Sequence, residues 1–75
     1  TEDTYVENDF SVYPNPAENY ITISGIFGEA KIYNVIGVEI WYGLINHERN
    51  IPIDHLSPGI YMIKTEKGSA KFLKY

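Results

Sequence analysis

Residues 20–34 read YITISGIFGEAKIYN, and how this stretch divides sets the architecture of the whole chain. Successive side chains of a strand point to opposite faces, so Ile21 and Ile23 share one side while Tyr20, Thr22 and Ser24 share the other. The pattern returns at the end of the stretch, with Ala30 and Ile32 opposed to Lys31 and Tyr33. Between the two runs stand Gly25 and Gly28, and glycine most readily takes the positive φ of a turn. The expectation is two strands joined by a connection from Gly25 to Gly28.

The same division, carried outward, gives further short runs of β-branched and aromatic residues: FSVY (10–13), VEIWY (38–42), NIPI (50–53), IYMIKT (60–65) and AKFLKY (70–75). Turn residues separate them at Pro14-Asn15-Pro16, Asn34 to Gly37, Gly43 to Asn50, Asp54 to Gly59 and Glu66-Lys67-Gly68. No stretch sustains a helical period. About seven antiparallel strands with breakers at this spacing predict an all-β fold, a small immunoglobulin-like β-sandwich. Pro52 lacks an N–H and makes the fifth run an edge strand or an irregular one. In the sixth run Ile60 and Met62 oppose Tyr61 and Ile63, so both faces are apolar and a central, doubly covered strand is expected. Pro58-Gly59 reads as a type II turn, with glycine at the corner that needs positive φ. Lys67-Gly68 reads as a hairpin.

Length and composition agree with one small module. The 75 residues, 44% hydrophobic and 15% aromatic, suffice for a single core and are too β-leaning for disorder. Residues 1–8 carry three acids and no core period and read as a linker remnant or lead-in; the domain is expected over 9–75, as a piece of a longer protein. There is no cysteine, hence neither a disulfide framework nor a thiolate metal site. A net charge of −4 with six scattered basic residues disfavours nucleic acid as partner. No apolar run approaches the ~20 residues of a membrane-spanning helix.

Candidate chemistry is sparse. Asp54-His55-Leu56-Ser57 places an acid, an imidazole and a hydroxyl together, but a catalytic triad converges in space and neighbours in one loop do not; turn and capping roles are the simpler reading. Two histidines, His47 and His55, make a poor zinc set. Glu2, Asp3, Glu7 and Asp9 lack the spacing of a calcium loop. Trp41 and Tyr42, with Tyr33 and Tyr20, are candidates for a sugar-stacking platform, although strands use such residues for packing. No cofactor, small-molecule substrate or enzyme activity is expected. A carbohydrate-binding module and a structural spacer are the readings that composition and these residues allow.

Four motifs stand in order: Phe10-x-Val12-Tyr13-Pro14-Asn15-Pro16, Ile32-Tyr33-Asn34-x-x-Gly37, Leu56-x-Pro58-Gly59-Ile60-Tyr61 and Lys71-Phe72-Leu73-Lys74. Together, from about Asp9 to Tyr75, they resemble the C-terminal sorting domain of the type IX (Por) secretion system. The resemblance implies a secretion signal that leads its parent protein, the cargo, through the periplasm and across the outer membrane to the cell surface or medium. The implied partners are an outer-membrane translocon, a shuttle protein and a sortase that removes the domain upstream of Asp9. The family's recognition elements would fall on Pro14, Asn15, Pro16, Gly37, Leu56, Gly59, Tyr61, Lys71 and Lys74. The chain departs from the pattern at Tyr75, where many members carry a basic or polar residue. Either a fixed terminal hairpin or a last strand free for pairing would suit recognition, and an unpaired edge would also permit a dimer.

Overall fold

The computed structural model describes the backbone of residues 5–7 and residues 10–75. It is all β, with antiparallel strands β1 (Tyr5–Glu7), β2 (Phe10–Tyr13), β3 (Tyr20–Tyr33), β4 (Glu39–Pro52), β5 (Gly59–Thr65) and β6 (Gly68–Lys74), and no helix among the described residues. The seven expected strands are therefore five, joined by the three-residue β1, which pairs with β2. YITIS and AKIYN are one 14-residue strand, and VEIWY and NIPI are another.

The decisive stretch does not turn. Pairing runs from Ser24 opposite Glu48 to Ile26 opposite His47, so Gly25 is an extra residue in β3, a bulge. Gly25 sits at φ +99° and His47, across from it, at +76°. The bulge exchanges the faces: Ile21 and Ile23 are buried before it, and Ile26, Ala30 and Ile32 after it. Without the extra residue, one half of the hairpin would turn its apolar side to water.

One edge of β3 pairs with β4 along its length, from Tyr20 opposite Pro52 to Tyr33 opposite Glu39. Its other edge is divided. Thr22 to Ser24 pair with β2, and Ala30 to Tyr33 pair with β5, which continues to β6. The result is one continuous curled sheet in the order β1-β2-β3-β5-β6 with β4 beside β3, not the two separate sheets expected of an immunoglobulin-like sandwich. The core fills the curl, with Phe10, Val12, Ile21 and Ile23 from one wall meeting Ile32, Ile63, Ala70 and Phe72 from the other. Burying side chains of this size contributes about 1.5–3 kcal/mol each, which is what carries so small a domain.

Two expectations about the C-terminal third need correction. β5 does lie between β3 and β6, but only Tyr61 and Ile63 are buried, while Ile60 and Met62 face outward. The strand is covered on one side. The hydrogen-bonded turn also lies earlier than Pro58-Gly59: Leu56 N–H donates to the Ile53 carbonyl at 3.0 Å. Gly59, at φ +152°, opens β5 instead of forming a type II corner, which calls for roughly +80°. Pro52 ends β4, an edge strand, where a missing N–H costs no ladder bond. The terminal hairpin pairs Thr65 with Gly68, so its loop is Glu66-Lys67, and Thr65 Oγ1 accepts the Lys67 N–H at 3.0 Å.

Candidate functional site

The outer edge of β6 is covered by the segment after β2. Asn15 mimics a strand with its side chain: Oδ1 accepts the Leu73 N–H at 3.0 Å, and Nδ2 donates to the Lys71 carbonyl at 3.4 Å. Ala17 continues the pairing through its backbone, donating to Leu73 O at 2.8 Å and accepting from Tyr75 N at 2.9 Å. Pro14 and Pro16 flank the asparagine with fixed φ, and both X–Pro bonds here, Tyr13–Pro14 and Asn15–Pro16, are cis. The first motif is thus brought onto the last. Of the two arrangements considered for the last strand, the structure has the paired one over residues 71–75.

The third motif has its own logic. The Tyr61 hydroxyl donates to the Ser57 carbonyl, closing the Ser57-Pro58-Gly59 bend onto the start of β5. Its ring is buried and stacks on Phe72 of β6, with centroids 5.4 Å apart. Leu56, half-buried, packs against the core from the preceding turn. The second motif forms a tight loop between β3 and β4. Asn34 Oδ1 accepts the N–H groups of Ile36 (3.1 Å) and Val38 (2.9 Å), while the Asn34 carbonyl accepts the Gly37 N–H at 3.0 Å. Gly37 takes φ +91°, the conformation that makes glycine suitable there. Asn34 opens this turn within the second motif, and an asparagine three residues before a glycine carries the turn signal in the sequence.

The two lysines of the fourth motif part company. Lys71 is exposed on the outer face of the hairpin. Lys74 points inward with only 8% exposure, and its Nζ donates to the main-chain oxygen of Tyr75 at 2.8 Å. Around Lys71 the outer face is apolar, with Ile60, Met62 and Leu73 all exposed. The Asn34–Val38 loop adds Val35 and Ile36, 84% and 79% exposed. Motif reading did not anticipate these two residues, since nothing in their type says which way they face.

The other candidates do not assemble. Asp54 and His55 are solvent-exposed residues of the Ile53–Leu56 turn, 3.9 Å apart, and the Ser57 side chain is not drawn into a constellation with them. Trp41 lies over Gly43 with the Arg49 guanidinium 5.2 Å from its ring, whereas Tyr42 points to the opposite face and Tyr20 stands at the far end of β3. No stacking platform is formed by the four. Tyr42 has its phenol pKa raised, first by the neighbouring Glu29 carboxylate and then by desolvation, with Lys31 opposing. No group of three or more potential metal ligands occurs among the described residues, and the side chains of Glu2, Asp3, Glu7 and Asp9 lie outside them.

A family model for the secretion system C-terminal sorting domain matches residues 11–74. No curated protein and no solved structure matches the chain. Apart from Phe10, the match takes in all four motifs, from the β2 strand to the lysine that ends β6, and the family is one of sorting signals, not of enzymes. This chain belongs to the family of secretion system C-terminal sorting domains, the export signals of the type IX system.

Proposed function

We propose that this domain is read in its folded form by the outer-membrane translocon and shuttle protein of the type IX system, after its parent has crossed the periplasm. A sortase then cuts the chain upstream of Asp9, and the cargo is released or attached at the cell surface. Residues 1–8 serve as the cleavable lead-in, and 9–75 as the signal. The observation that carries this reading is the family match over 11–74, in a chain whose four motifs meet around one hairpin. A rigid surface costs little ordering entropy when bound, which suits a signal that must be recognised behind any cargo. On the same reading, pairing with a second copy would use β4, which has a strand on one side only.

The test is an export assay with residues 1–75 fused behind a signal peptide and a folded fluorescent reporter. The hosts are a bacterium with the type IX system and its translocon-null derivative. Reporter outside the cell in the competent strain alone, with the tail removed, is the expected result. Intact fusion held in the periplasm of both strains, while a known signal of the family works in parallel, would overturn the proposal.

A further inference from the structure

We infer that the outer face of the β5–β6 hairpin, together with the Asn34–Val38 loop, is the surface the secretion machinery touches, and that its receptor is a protein patch with an apolar centre and a carboxylate rim. This rests on the sorting-signal reading and says which chemistry of the domain is read.

The motif residues are mostly not available to a receptor. Tyr61 and Lys74 are buried, Asn15 spends its amide on β6, and Gly37 and Gly59 supply backbone conformation. Their joint effect is to fix the outward face. That face carries Val35 and Ile36, the most exposed apolar side chains among the described residues, on a loop where polar residues are usual. The loop is held by four hydrogen bonds of Asn34, so its apolar tips are presented in a fixed place.

The patch is continuous. Val35 lines a shallow hollow with Met62 and Lys64, and Val35 and Ile36 line a second with Pro58 and Ile60. Ile60 in turn borders a third with Leu73 and Lys71. Contiguous exposed apolar surface of this kind marks an interaction site. Hollows between fixed side chains are filled by the side chains of another folded surface, whereas the mobile chains of a bilayer gain little from them.

Charge indicates the rim of the partner. Residues 59–75 hold four of the chain's six basic residues and one of its ten acids, Glu66; Lys74 points inward, and Lys64, Lys67 and Lys71 are exposed. Lys64 and Lys71, both exposed, flank the apolar set, and neither is ion-paired among the described residues. An acidic chain that sets two exposed lysines beside one apolar face is complementary there to carboxylates at the edge of an apolar centre.

The experiment uses the same export fusion with three double variants. Val35→Asp with Ile36→Asp spoils the apolar tip, Lys64→Glu with Lys71→Glu reverses the rim, and Phe27→Asp with Leu44→Asp alters the separate exposed pair on β3–β4. The first two are expected to lower the exported fraction by about tenfold or more, the effect of losing one or two central contacts, while the purified domains melt within a few degrees of the parent. The third is expected to export normally. Normal export of the first two would overturn this inference and leave the sorting reading intact; failure of the unaltered fusion would defeat the sorting reading itself. If the aspartates unfold the domain, the lysine pair, whose side chains are exposed, decides. Sedimentation of the purified domain with anionic phospholipid vesicles, abolished by Val35→Asp with Ile36→Asp, would overturn a protein receptor in favour of a lipid one.

Discussion

Gly59 and Gly43 are both glycine for reasons visible at the single residue, and the reasons differ. A Cβ built at Gly59 meets nothing within 4 Å, but its φ of +152° is one that L side chains rarely adopt. Gly59→Val is therefore expected to cost about 1–2 kcal/mol through the backbone alone, lowering Tm by several degrees and leaving the fluorescence of the single Trp unchanged. At Gly43 a Cβ would stand 2.5 Å from the Trp41 ring, so Gly43→Ala must displace the indole and should alter that fluorescence. An unchanged spectrum there would mean the ring does not lie over Gly43. Tyr42 offers a test by titration. Its pKa is higher folded than unfolded, chiefly because of Glu29, so its stabilising contribution is complete below the ordinary tyrosine value of about 10 and is lost as pH rises through the folded value. Glu29→Gln should move the Tyr42 ring titration, followed by NMR, back toward the ordinary value; an unmoved titration would remove Glu29 as the cause.

At the scale of the element, β6 is a strand whose outer edge is closed by a side chain and a short piece of backbone. Asn15→Ala removes the partners of the Leu73 N–H and the Lys71 carbonyl, a loss of about 1–2 kcal/mol. The expected signature is local: faster amide hydrogen exchange at Leu73, with Ile63 in β5 unaffected. Uniform acceleration through β5 would instead show that the strap holds the whole hairpin. Asn15→Asp keeps an acceptor for Leu73 and loses the donor to Lys71, so it should fall between. An uncovered edge also invites pairing with other chains, which the cover over β6 prevents.

Across the whole molecule, β3 and β4 belong to both walls of the curl, so neither wall can open alone. Ile23→Val on one side and Ile63→Val on the other, both at fully buried positions, should each cost about 0.5–1.5 kcal/mol and shift one and the same unfolding transition. Trp fluorescence and far-ultraviolet circular dichroism should then coincide throughout the melt. Two separated transitions would mean that the long hairpin does not couple the walls. The curl also acts at this scale, because it turns the β5–β6 hairpin outward as a one-sided surface and sets the Asn34–Val38 loop beside it.

The amino-acid sequence by itself determined that the protein is all β, where β2, β5 and β6 lie, and which family it joins, because alternation and turn chemistry are local properties of the backbone and the four motifs are ordered along it. The switch in parity from Ile21 and Ile23 to Ala30 and Ile32 was there to read, but a glycine between two strands serves a turn and a bulge equally well. Only pairing with β4 made Gly25 a bulge and joined two runs into one strand. Tertiary structure likewise decided that Lys74 is buried while Val35, Ile36, Ile60 and Met62 face water, and that Asn15 closes an edge 58 residues further on. Such outcomes depend on which distant segments cover which face, and no local pattern encodes that.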